Sequence, residues 1–331
     1  MNRSAVPLNF GLDFQANAAI VLMLDNIKEL NSIRLECNED IDIELCDGTY
    51  VLAQAKSVVR SSTEFKNVRS NVKKAMVSLS DGAQSVKVRE LVYITNSPNP
   101  FNEDVSKNLF YGPSIVKYDE LPPTTQNLIK EYLSQIANPL DTSYLTIRTI
   151  PFEGDDERQR YKVILNSISD FMEELGLNEI GFRKKLHRVW NQMLDRSGSK
   201  MDKGIRLGKK DVIWPIIVCV SGLDNLDRDV LCPGLDDGEY EEIRRKYEDV
   251  IDYCSERYEI VTKVISGFSM SGLRGKDSIP LFINDHWKDY IDDLGLDSID
   301  EHIQSFLIRI IMYTILVKRY TINNIKIAVN L

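Results

Sequence analysis

The chain has 331 residues, of which 43% are hydrophobic and 27% charged, with a formal net charge of −9. That length suggests about two domains, and the composition is that of an ordered globular protein, neither disordered nor fibrous. Five cysteines without metal-type spacing and three isolated histidines argue against a disulfide framework, a zinc site and a His-based triad. His187, His286 and His302 read as surface or interface residues.

No signal peptide or membrane span is expected. The first apolar run, Ala18 to Leu24, stops at Asp25, and Ile303 to Val317 is short and interrupted by Arg309. A cytoplasmic protein with no membrane partner is the expectation. No Gly-x-x-x-x-Gly-Lys-Ser/Thr occurs, so NTP hydrolysis of the P-loop type is excluded.

In chain order, residues 13–30 carry apolar residues at helical spacing, including Phe14, Ala18, Val21 and Leu22. Ser32 to Glu36 reads as a short first strand. From Glu36 to Lys56 two alternating apolar runs flank Asp47-Gly48, a strong hairpin signal. A three-residue loop, Asp47-Gly48-Thr49, sets Ile41 against Ala55, Ile43 against Ala53 and Leu45 against Val51. The opposite face then pairs Asp40 with Lys56 and Asp42 with Gln54, and continued alternation adds Glu36. Carboxylates this close repel one another, and a divalent cation would resolve the repulsion. A hairpin with its polar face simply in water is the alternative.

A polar turn from Ser57 to Thr63 leads to a helix over about 64–79. Its apolar side carries Phe65, Val68, Val72, Met76 and Leu79, and its other sides carry Lys66, Arg69, Lys73 and Lys74. The cations form either a solvated face or a phosphate rail. Val88 to Thr95 is the clearest buried strand. The stretch 99–120 is less regular, Pro122-Pro123-Thr124 opens a helix to about Ala137, and Ser143 to Phe152 alternates like another strand.

From Asp155 the pattern changes to long helices: 156–175, then from a cap at Asn178 to about Arg196, and an apolar run over 211–220. The segment 181–210 contains ten Lys or Arg against Asp195 and Asp202, a local charge of +8 in an otherwise acidic chain. Arg183, Lys184 and Arg188 are its leading candidates for phosphate contact. Gly222 to Gly238 is the expected boundary between domains 1–222 and 223–331. Beyond it lie a helical stretch from Glu239 to about Gly267, a helix near 299–319, and a tail, Ile325 to Leu331, that alternates like a strand. The apolar run from Phe306 to Val317 is either this region's own core or a surface for self-association or docking.

Asp40 and Gln54-x-Lys56 on a strand-turn-strand, flanked by helices in αβββαβ order, resemble the PD-(D/E)XK nuclease superfamily in its Gln-x-Lys variant. Gly11-Leu12-Asp13-Phe14-Gln15, then Glu39-Asp40-Ile41-Asp42 and Gln54-Ala55-Lys56, look more narrowly like the endonuclease domain of CBASS anti-phage effectors and of the nuclease subunit of SMC-like Lamassu systems. The resemblance covers about the first two hundred residues, and Gln15 or Asp13 stands where the usual helix-borne acid is expected.

It implies an α/β, restriction-endonuclease-like core with a mainly helical C-terminal region, and a Mg²⁺- or Mn²⁺-dependent endonuclease acting on double-stranded DNA in anti-phage defence. Asp40, Asp42, Gln54 and Glu36 would hold the metal. Asp40, Gln54 and Lys56 would be catalytic, with Lys56 orienting water or neutralising charge on the phosphate. Lys66, Arg69 and Lys73 would join the DNA contacts. Regulation by homo-oligomerisation or by an SMC-like or other regulatory subunit is implied. The competing reading is a catalytically silent nucleic-acid-binding or scaffold subunit.

Overall fold

A computed structural model of the chain describes residues 5–61, 63, 65–154, 156–177, 181–222, 237–252, 258–296 and 299–331. The chain divides into two units, Met1–Lys209 and Lys210–Leu331. The expected boundary at Gly222 to Gly238 lies almost wholly outside the described residues, as does the expected cap Asn178.

The first unit is α/β. Among the described residues its sheet has seven strands: β1 (Leu30–Leu35), β2 (Ile41–Leu45), β3 (Tyr50–Lys56), β4 (Val88–Thr95), β5 (Ser114–Lys117), β6 (Leu145–Thr149) and β7 (Leu207–Gly208). Their order across the sheet is β5-β6-β4-β3-β2-β1-β7. β1, β2 and β3 form an antiparallel meander, whereas β4 and β6 run parallel to β3, and the short β5 and β7 close the edges antiparallel. The helix α2 (Val68–Gly82) makes the crossover between β3 and β4, as a parallel pair requires.

α1 (Val6–Asp25) is buried on nearly every side from Phe14 to Leu24, because α5 (Lys162–Glu174), which follows the one-turn α4 (Glu157–Arg160), and α6 (Phe182–Gly198) pack on it from outside while the sheet lies beneath. It begins and ends earlier than the expected 13–30. On the other face, α2 and α3 (Pro123–Leu133) bury Val72, Met76, Leu79 and Ile129 against Leu52, Leu91, Tyr93 and Ile147. The strand expected over Val88 to Thr95 has those bounds.

The β2–β3 register differs from the expected one by two residues: Ile41 pairs with Ala53, Ile43 with Val51 and Glu44 with Tyr50. Gly48 has φ +76°, its N–H donates to the Leu45 carbonyl, and Leu45 N–H donates to the Thr49 carbonyl at 2.9 Å. A three-residue loop of this kind needs its left-handed glycine in third place, so the loop is Cys46-Asp47-Gly48. The Asp47 carboxylate accepts from Thr49 N and Oγ1, which holds Thr49 out of the loop and opposite Leu45. A slip of two leaves every side chain on its expected face.

The second unit is helical among the described residues. α7 (Lys209–Val220) leads into it, followed by helices Asp237–Asp252, Tyr258–Met270, Ile279–His286 and Glu301–Ala328. The tail expected as a strand is the end of the last helix. No glycine or proline interrupts 301–328, and Ile322, Ile325 and Val329 are buried at helical spacing while Ile327 is exposed. Most of the apolar run within this helix, including Leu307, Ile308, Ile311, Ile315 and Leu316, is buried, so it forms core. No described helix is long and apolar enough to cross a membrane.

Candidate active site

The site forms where β1 turns into β2. β1 ends at Leu35, and Glu36 takes a left-handed conformation, φ +55°, a strained backbone for a non-glycine residue. That turn breaks the alternation expected to carry Glu36 onto the face of Asp40. Glu36 reaches the site by another route. Gln15, buried in α1, donates from Nε2 to Glu36 Oε1 and to the Asp40 carbonyl, both at 2.8 Å, and so ties the helix to both ends of the turn.

Asp40 is the centre of the cluster. Its Oδ2 accepts from the Gln54 amide, from Ala55 N–H at 2.9 Å and from Lys56 Nζ at 3.4 Å. Burial raises its pKa; the Lys56 ammonium and the Ala55 N–H work against that rise, and Glu36 adds to it. Among the described residues nothing hydrogen-bonds to Asp40 Oδ1 or Glu36 Oε2. The structure therefore brings together Gln15, Glu36, Asp40, Gln54 and Lys56.

Asp42 is held elsewhere. It is fully buried, and its carboxylate accepts from Asn38 N–H, Asn38 Nδ2 and Glu39 N–H at 2.8–3.0 Å, so both oxygens brace the turn. Its strand neighbours are Leu52 and Arg34. The expected pairing with Gln54 falls with the register.

The donor set is consistent with a hard cation. Two carboxylates and an amide are oxygen ligands of the kind Mg²⁺ or Mn²⁺ prefers, and burial without a cation raises the pKa of Asp40. Among the described residues no group of three or more His, Cys, Asp or Glu is disposed to hold a metal. A cation here would keep several waters, as Mg²⁺ commonly does. A cleft of about 560 Å³ opens beside Gln15 and Glu36, walled by Asp13 on α1 and by Asn191, Asp195 and Ser199 at the α6 side.

Glu39 is a residue that sequence reasoning missed. Its buried carboxyl accepts from Ser78 Oγ of α2 at 2.9 and 3.1 Å, and a Cβ on Gly82 would come within 2.7 Å of it. Ser78 and Gly82, two small residues four apart on one helix face, were the available signal of a close approach. Burial pushes the Glu39 carboxyl up to about 8, with Asp40 and Asp42 adding to the rise and Ser78 opposing it.

The folded pKa lies above the unfolded value, so the resulting stability is full at low pH and is lost as pH rises towards about 8. Metal-free protein should lose stability over that range by at most about 1.4 kcal/mol per pH unit from this group. Urea titrations of Glu39→Gln should show a flatter profile. An identical profile would refute the assignment.

The candidate DNA contacts are dispersed. Arg69 braces the loop after β4, donating from Nε to the Phe101 carbonyl at 2.7 Å and pairing with Glu103, and Lys73 donates to Gln135 at 2.7 Å. Lys66 is exposed. On α6, Lys184 and Arg188 are exposed, while Arg183 is half-buried and its Nε has no acceptor among the described residues. His187, expected at the surface or at an interface, sits half-buried between helices. Its Nε2 lies 2.6 Å from Asn17 Oδ1, its ring lies on Tyr161, and burial lowers its pKa.

No protein-family model and no curated protein matches the chain. Among solved structures, it is similar to an Acinetobacter baumannii Cap4 SAVED/CARF-domain-containing receptor, determined with the cyclic trinucleotide 3'3'3'-cAAA. The two are 18% identical, with a TM-score of 0.38, over 62% of this chain and 44% of that one. The chain thus spans less than half the length of that receptor, and the likeness is too distant to assign a function.

Proposed function

We propose that this chain is a metal-dependent phosphodiesterase that cleaves duplex DNA. The observation that supports it most is the treatment of Asp40: Gln54, the Ala55 N–H and Lys56 converge on Oδ2, Oδ1 has no hydrogen-bond partner among the described residues, and the Glu36 carboxylate acts on the same group. Asp40 and Glu36 would hold the ion, with the Gln54 amide a neutral third donor. An ion held there would lower the pKa of a bound water and offset the charge that develops on the phosphate.

The chain's own residues do the rest. Gln15 holds the turn so that Glu36 and Asp40 stay together. Lys56, about one-third exposed, can turn its ammonium from Asp40 to a water or to a phosphate oxygen gaining charge. The +8 segment 181–210 supplies attraction for a polyanion in a chain whose net charge would otherwise repel one. Anti-phage defence, under control of a partner or of oligomerisation, is the setting that the sequence resemblance suggests.

Incubating purified protein with supercoiled plasmid and Mg²⁺, beside a chelated control, tests the reading. Nicked or linear product only with metal is the expected result. Salt-sensitive DNA binding without cleavage in either Mg²⁺ or Mn²⁺ would replace it with a silent nucleic-acid-binding subunit.

A further inference from the structure

Arg34, the last residue but one of β1, is 1% exposed, and among the described residues it has no carboxylate within ion-pair distance. Its guanidinium instead donates to three backbone carbonyls of one loop: Asp202 and Ile205 at 2.5 Å and Lys200 at 2.6 Å. Burying a charge without a counter-charge is expensive, and carbonyl dipoles offset only part of that cost. The result is a loop, 199–206, whose carbonyls point inward and whose Lys200, Met201 and Lys203 side chains stand in solvent.

The same loop grips the turn that carries the candidate ligands. Lys203 Nζ donates to the Cys37 carbonyl at 2.7 Å, and Arg206 donates to the Asp42 carbonyl at 3.2 Å and to Ser32 Oγ at 2.7 Å. Lys203 thus sits on the carbonyl of the residue after Glu36, with Lys200 exposed on the same loop; the acids beside them are Asp202, whose Oδ1 accepts from Gly204 N–H, and Glu44, 3.9 Å from Arg206. Two carboxylates repel an incoming phosphodiester, and an adjacent cationic loop offsets that repulsion.

We propose that the loop 199–206 is a phosphate-binding element for duplex DNA, held by Arg34 and placed to seat the backbone next to the Glu36–Asp40 turn. The proposal rests on the duplex-DNA reading above and adds Lys200 and Lys203 as its contacts.

The full chain, in chelator so that cleavage plays no part, is titrated with a short duplex oligonucleotide over a range of salt. Lys200→Ala combined with Lys203→Ala should reduce the log–log salt slope by about 1.8, two contacts at about 0.9 each, and weaken unrelated sequences equally. The exposed pair Lys117 and Lys130, changed to alanine, should leave the slope as it was. Duplex binding should also slow alkylation of Cys37, read by mass spectrometry on its own peptide, in wild type but not in the double variant.

A slope retained by the double variant, a Cys37 rate indifferent to DNA, or no duplex binding by wild type would overturn the proposal. Reduced slope and Cys37 protection together with no cleavage in Mg²⁺ or Mn²⁺ would leave it standing and remove the nuclease reading alone.

Discussion

Lys56→Ala and Asp40→Ala should each reduce the proposed Mg²⁺-dependent plasmid cleavage by at least roughly a hundredfold, the scale on which losing one charge-stabilising group slows a reaction. Neither change should unfold the protein. Lys56 is partly exposed and its contact with Asp40 is long, at 3.4 Å. Asp40 is a half-buried carboxyl whose pKa burial has raised, so its ionised form opposes folding.

The sign of that shift gives a second measurement. A raised folded pKa means stability present below the unfolded value and lost as pH climbs through the folded one. At neutral pH, Asp40→Asn removes the half-buried charge and keeps an acceptor for the Ala55 N–H. Metal-free Asp40→Asn should therefore melt above wild type while cutting no DNA. Near-wild-type cleavage by folded Lys56→Ala or Asp40→Ala would end the assignment of the site.

Asp42→Ala should behave in the opposite way. Removing this carboxylate strands the N–H groups of Asn38 and Glu39, and a buried donor left without an acceptor costs about 1–3 kcal/mol. The variant should lose about 2–5 kcal/mol in metal-free protein, several degrees of Tm for a chain of this size. Cleavage should fall with it, because the turn that carries Glu36 and Asp40 loses its brace. A ligand role for Asp42 predicts lost cleavage with unchanged metal-free stability. Thermal melts in chelator separate the two, and a wild-type melting curve would restore Asp42 to the ligand set.

Much of the architecture was legible from local pattern. The β4 strand lies where the apolar run Leu91-Val92-Tyr93-Ile94 put it, and the helices α2, α3, α5 and α6 follow apolar residues at helical spacing. Asp40, Gln54 and Lys56 were legible as one face, because the period of two along a strand survives a register slip of two. The same property hid the true pairing: alternation specifies faces, while Gly48 and the Asp47 side chain specify which residues meet. The tail from Ile325 to Leu331 shows the limit of short windows, since a few alternating residues fit a helix end as well as a strand.

What the amino-acid sequence determined by itself was therefore the αβββαβ order, the polar face of the hairpin and the basic segment 181–210, all properties of residues near one another in the chain. Tertiary structure alone decided that Glu36 joins Asp40 through Gln15, that Asp42 braces a turn, and that Ser78 holds Glu39. It also decided that Arg34 is spent on a loop about 170 residues away. These are contacts between distant parts of the chain, and periodicity carries no information about them. Each depends on which polar groups, of the backbone or of a side chain, are left unpaired and which side chain is near enough to satisfy them.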